Sequence, residues 1–187
     1  MTILSKNNEQ GRSMVEMLGV LAIIGVLSVG GISGYSKAMA KFKLTKAQDQ
    51  ITMLLMNIRT AFATSPNYDG LNNDAAVDYN IAPGDMVPSG TKNINHAFGG
   101  AVTVGACDSA GGSASTQYFY IQLNKLGREA CVSLATSDWG TDGLVSMTVG
   151  KDGETGVKTD AKDLPLAFTA TNCGTKGSYN TIKWIYY

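Results

Sequence analysis

Histidine is almost missing from this chain, and most metal and acid–base chemistry goes with it. His96 is the only one among 187 residues, and no His-x-x-x-His or Cys-x-x-Cys pair occurs, so a zinc site lacks its ligands. His96 itself reads as a loop residue. Cysteine is scarce too. Cys107, Cys131 and Cys173 are an odd number and allow at most one internal disulfide, and Cys107 has no base near it in sequence to make it a nucleophile. Excess charge is also missing, because 15 basic and 15 acidic residues cancel; without a basic field, nucleic acid is not an expected partner. Gly99-Gly100 and Gly111-Gly112 lack the lysine and helix start of a phosphate loop. Residues 69–78 and 151–163 are acidic, but neither has the spacing of a 12-residue calcium loop, and lysines interleave the second. Both read as solvated loops. No enzyme, no metal and no cofactor is expected.

Proline is absent until Pro66, and charge is absent from residues 17–35. Those nineteen residues, as a helix, span about 28 Å, close to the hydrocarbon thickness of a bilayer. One carboxylate, Glu16, stands at the edge of the run. A secretory signal peptide is the competing reading, but the apolar core is too long for it, and no small-x-small site is followed by a polar start. Beyond the run, Leu44, Ala47, Ile51, Leu54, Leu55, Ile58 and Phe62 form one stripe at helical spacing. The pattern predicts a helix from about residue 12 to 63, apolar all round in its first half and amphipathic in its second. The first half needs lipid or neighbouring copies around it, and the second needs a sheet to pack on.

Gly11 precedes the apolar run and Glu16 follows that glycine by five residues. This resembles the N-terminus of type IV prepilins. The resemblance implies that a prepilin peptidase cuts between Gly11 and Arg12, that the new N-terminus is methylated, and that Glu16 is the fifth mature residue, which serves assembly. Arg12 departs from the apolar residue that family members usually carry there. The domain plan implied is a leader at 1–11, a membrane or filament-core half-helix at 12–35, an amphipathic half at 36–63 and a globular domain at 64–187. Glycines at 19, 25, 30, 31 and 34 let helices approach closely while weakening the helix by up to about 1 kcal/mol each. In the family this depth often loses helix in the filament, so Gly30, Gly31 and Gly34 are the candidates for melting. Lys6 and Arg12 precede the span while Lys37, Lys41, Lys43 and Lys46 follow it, so a count of charges puts the C-terminal domain inside. The family resemblance puts it outside.

Downstream, Pro66-Asn67, Ala82-Pro83-Gly84 and Pro88-Ser89-Gly90 punctuate a connecting loop that wraps the helix. The stretch from Asn80 through Phe98-Gly99-Gly100 to Val104 is similar to the type IVb pilin pattern of a Pro-containing loop, an aromatic-Gly-Gly and a strand. Residues 101–104, 117–123, 144–149 and 180–187 are strand candidates, rich in β-branched and aromatic residues. Residues 126–135 have helical spacing and match the family's short Cys-bearing helix. An α+β fold follows, with an antiparallel sheet on the amphipathic half of the long helix. The resemblance pairs Cys131 with Cys173; a bond to Cys107 and reduced thiols are the alternatives. Cys107 is then left over, buried or bridging to another chain.

The function implied is that of a major pilin of the type IVb (PilS-like) family. Such a subunit sits in the inner membrane as a precursor, is handled by the peptidase and the assembly machinery there, and builds a homo-oligomeric filament on the cell surface for adhesion, aggregation or conjugative contact. A minor pilin or secretion pseudopilin shares these features, and an uncleaved single-pass binding protein is the rival outside the class.

Overall fold

The computed structural model describes residues 9–140, 143–154, 156–160, 171–174 and 177–187, with side chains from Met14 onward. Helix α1 runs Glu9–Ala61, three residues earlier at its start and two at its end than the sequence pattern predicts. Two compact units divide the chain, residues 1–42 and 43–187.

In the first unit every side chain described before Met39 is exposed, because an all-round apolar helix has no second element to bury against. Gly19, Gly25, Gly30, Gly31 and Gly34 have open space where a Cβ would stand.

In the second unit the amphipathic stripe behaves as its spacing requires. Ala47, Ile51, Leu54 and Ile58 are fully buried, and Leu44 and Phe62 pack at the edges of the same core. Facing them is a six-stranded antiparallel sheet: β1 (Ile94–Asn95), β2 (Ala101–Cys107), β3 (Tyr118–Leu126), β4 (Leu144–Lys151), β5 (Val157–Asp160) and β6 (Asn180–Tyr186). Its order is β1-β2-β3-β6-β4-β5. The last strand in the chain therefore lies in the middle, paired Ile121↔Trp184 on one side and Met147↔Trp184 on the other. Ile182, Trp184 and Tyr186 point into the core with no exposure, Trp184 edge-on to Trp139 at 5.0 Å and Tyr186 stacked on Phe119 at 5.6 Å. The guanidinium of Arg59 lies 5.7 Å from the Tyr186 ring centre. Trp184 Nε1 and Tyr186 Oη find no hydrogen-bond partner among the described residues, so apolar packing supplies the contacts of these two side chains.

All four strand candidates are strands, each at or near its expected bounds. The short helix, α3, is Arg128–Ala135; Leu126 closes β3 instead of opening the helix, after a bulge at which Lys125 takes a positive φ of 58°. Two expectations need correction. Residues 69–78 are not all loop: α2 spans Asn73–Asp78, capped by Asn72 accepting from Ala75 N–H at 2.9 Å, a helix too short to register as periodicity. Residues 151–163 are not a plain surface loop either. Lys151 ends β4 and Val157–Asp160 forms the edge strand β5, paired Met147↔Thr159, while residues 161–163 lie outside the described residues. His96 does sit in a turn, but it is buried and structural, as described next.

Candidate functional site

The connecting loop is tied to α1 and to the sheet by side chains that bond backbone. Gln50 sits inside the apolar stripe, 4 % exposed. It accepts from Ala97 N–H at 2.9 Å and donates to Asp85 Oδ2 at 2.8 Å, and that donated bond is the first cause holding the Asp85 carboxyl below its usual range. Asn57 donates to the carbonyl of Ile81 at 2.8 Å. Asn73 at the start of α2 donates to Val102 O at 2.9 Å and accepts from Val104 N–H at 2.8 Å. Its amide thus takes the place of a neighbouring strand where the two-residue β1 ends. His96 donates through Nε2 to Asn124 O at 2.8 Å, which is possible only because its Nδ1 accepts from Phe98 N–H at 3.2 Å. Burial pushes its pKa down. Gly100 is required beside it: a Cβ there would run into the Asn124 carbonyl and the His96 ring. Gly99 takes φ +85° in the same turn.

At the other end the staple is present. Cys131 on α3 is bonded to Cys173 with Cα atoms 6.0 Å apart, and neither is exposed. Arg128 Nη1 donates to both Cys173 O and Gly174 O at 2.7 Å. Asn180, fully buried at the start of β6, accepts from Gly174 N–H at 2.6 Å and donates to Leu126 O at 3.1 Å. Cys107 remains free, 1 % exposed, its thiol pushed up to about 11 chiefly by burial. Such a thiol is protonated at neutral pH and poorly reactive, so a bridge to another chain would require the domain to open.

The remaining site residues lie on the first part of α1. Gly11 and Arg12 fall in its opening turns, where only the backbone is described. Glu16 is exposed, and from Met17 onward the apolar side chains stand out into solvent: Leu21 is 60 %, Val26 76 % and Ile32 71 % exposed. Fully covering a side chain of this kind is worth about 1.5–3 kcal/mol, so a dozen of them at this exposure amount to roughly 10–20 kcal/mol. That face is bound to be covered, by lipid or by protein. α1 is long and apolar enough to cross a membrane. Among the described residues no cluster of three or more potential metal ligands occurs.

Gln50, Asn73, Arg128 and Asn180 are structural brackets that sequence reading misses. The sequence pattern sets Gln50 among the polar residues off the apolar stripe; the structure corrects this, burying it one turn after Ala47, where its bonds to Ala97 and Asp85 satisfy the amide.

A long helix with an antiparallel sheet laid on its second half, closed by a C-terminal disulfide, is the fold of the type IV pilins. It superposes on the type IVb pilin of Salmonella typhi with a TM-score of 0.54 at 22 % identity, covering 77 % of this chain and 97 % of that one. On TcpA, a type IV pilin of Vibrio cholerae El Tor, the TM-score is 0.55 at 15 % identity, covering 78 % and 99 %. The sequence profile described as PilS N terminal matches residues 42–186, and the chain belongs to that family. The major structural subunit of the bundle-forming pilus of Escherichia coli O127:H6 (strain E2348/69 / EPEC) is 28 % identical over 140 residues, 74 % of this chain and 70 % of that protein.

Proposed function

We propose that this chain is the major structural subunit of a type IVb pilus. The observation that carries this reading is the uncovered apolar run of α1 in a chain whose second unit is a disulfide-stapled domain of the PilS family. A surface worth that much free energy is stable in lipid before assembly and among copies of itself afterwards. In this reading the leader 1–11 is removed by a prepilin peptidase between Gly11 and Arg12 and the new N-terminus is methylated. Residues 12–35 then leave the inner membrane for the filament core, with assembly driven by machinery in that membrane, and residues 36–63 and 64–187 face outward at the cell surface.

Glu16 has a physical reason to matter. A carboxylate carried into an apolar bundle costs several kcal/mol unless it meets a positive charge, and the freed α-amino group of a neighbouring copy supplies one. Gly30, Gly31 and Gly34 make the last quarter of the span the segment whose helix is least costly to unwind. The filament would serve adhesion, aggregation or conjugative contact. Mass spectrometry of sheared surface filaments tests the reading: a major component whose chain starts at Arg12, with a methyl group, is expected. Recovery of the chain only from membranes, uncut and with no filaments seen by electron microscopy, would overturn it in favour of a single-pass binding protein.

A further inference from the structure

The face of the sheet turned away from α1 carries a groove of about 310 Å³ that none of the features above uses. Its floor follows from the register. Gln122, Lys183 and Thr148 are aligned across β3, β6 and β4, and Thr181 is paired with Gly150 in the next row. Asn124 lies beside Thr181, and Asp152, just past β4, stands at the rim. Gly150 and Gly156 let the β4–β5 turn lie close, since a Cβ on Gly150 would meet the Gly156 Cα at 2.5 Å.

The polar groups are fixed in advance. Gln122 Nε2 donates to Asn124 Oδ1 at 2.9 Å, and Thr181 Oγ1 donates to Asp152 Oδ1 at 2.7 Å. Lys183 donates to Gly111 O at 3.0 Å and lies 4.2 Å from the Tyr120 ring centre. What these bonds leave over, among the described residues, is one carbonyl oxygen on Gln122, the amino group of Asn124, the hydroxyl of Thr148, the second carboxylate oxygen of Asp152 and the remaining N–H groups of Lys183. These are acceptors and donors side by side, held by their neighbours so that little rotamer entropy is lost on binding.

We infer that this groove binds one neutral sugar ring of a glycan. Its volume lies at the small end of the range for small-molecule sites, roughly 300–1,000 Å³, and suits one ring better than a peptide segment. The lining is predominantly polar, which is wrong for a lipid chain. The lining carries two carboxylates, Asp152 and Glu154, against one ammonium, Lys183, which is engaged with Gly111 O and the Tyr120 ring; this balance disfavours a phosphate or other anion. A sugar hydroxyl donates and accepts at once, and adjacent hydroxyls match a carboxylate oxygen next to an amide N–H₂. An open polar groove gives affinity of roughly millimolar order. Repetition along a filament would raise its avidity, a consequence that rests on the function proposed above, whereas binding by the single chain does not.

Saturation-transfer NMR on the full chain in phosphocholine micelles, which carry no sugar head group, tests this with a panel of neutral methyl hexosides at about 20 mM. Transfer to at least one hexoside is expected, weakened about tenfold by Asn124→Ala and by Asp152→Asn. The second variant keeps the acceptor for Thr181 and so separates lost recognition from lost folding; thermal melts of both variants check the fold. No transfer to any hexoside, or equal transfer to wild type and both variants, overturns the site. So does preferential binding of inorganic phosphate or of an acidic sugar added to the same panel.

Discussion

Removing both cysteines of the staple, Cys131→Ala with Cys173→Ala, should cost the domain about 4 kcal/mol in the chain-entropy account. The bridged residues are separated by 42 positions. Opening a loop of that length returns about 13 cal/mol/K to the unfolded chain, which at 25 °C is that figure. Two terms modify it. The buried sulfur atoms leave a small void, which adds to the loss. The bonds from Arg128 to Cys173 O and Gly174 O, and from Asn180 to Leu126 O, survive the substitution and keep the native state assembled, so the effect is on the unfolded state and the fold persists. Urea unfolding of the full chain in micelles, followed by tryptophan fluorescence, measures it. For a protein of this size the loss corresponds to about 8–16 °C in Tm. Reductant should bring the wild type down to the level of the double variant and leave the variant unmoved. A difference under about 1 kcal/mol, or an equal response of both proteins to reductant, would refute the reasoning.

Gly11→Val places a Cβ and two methyls next to the bond proposed for cleavage, and immunoblots should show uncut precursor in membranes with no surface filaments. Glu16→Ala should leave insertion and disulfide formation intact while filament yield in electron micrographs collapses; filaments at wild-type abundance would count against the charge-pairing argument. His96 is held neutral by burial, with its pKa below the usual value. The unfolded chain therefore takes up the proton first as pH falls through about 6.5, and stability present above that pH is lost on the way down to the folded pKa. Melting curves between about pH 6.5 and 5 should slope more steeply for wild type than for His96→Gln, and parallel curves would reject the assignment. Gly100→Ala forces a Cβ against the Asn124 carbonyl, which belongs to β3 and cannot step aside, so a loss of about 2–3 kcal/mol in urea unfolding is expected; a neutral result would mean that the turn yields.

Much of this architecture is legible in sequence because it rests on local pattern. The stripe from Leu44 to Phe62 states both the helix and its buried face, and the alternation Ile182, Trp184, Tyr186 states a strand and its inward side. The disulfide is readable only through family resemblance, since three cysteines by themselves allow three pairings. What stays hidden depends on partners far along the chain. Nothing near Asn73 says that its amide will bond Val102 and Val104, some thirty residues on. Val157–Asp160 reads as loop because its strand character comes from lying beside β4. Strand order is of the same kind: no local feature of Asn180–Tyr186 places it between β3 and β4.

That placement makes β6 the strand on which the two parts of the sheet join. Until β6 is in place, β1-β2-β3 and β4-β5 share no strand pairing among the described residues, only a side-chain bond from Lys158 to Ser109 O, and each offers an open edge where β6 belongs. Cys131 likewise waits for Cys173. A chain interrupted anywhere before its last strand therefore has neither its central pairing nor the aromatic contacts of Trp184 and Tyr186. Truncated or clipped copies are left with exposed strand edges, open to degradation and unable to present a finished surface to their neighbours.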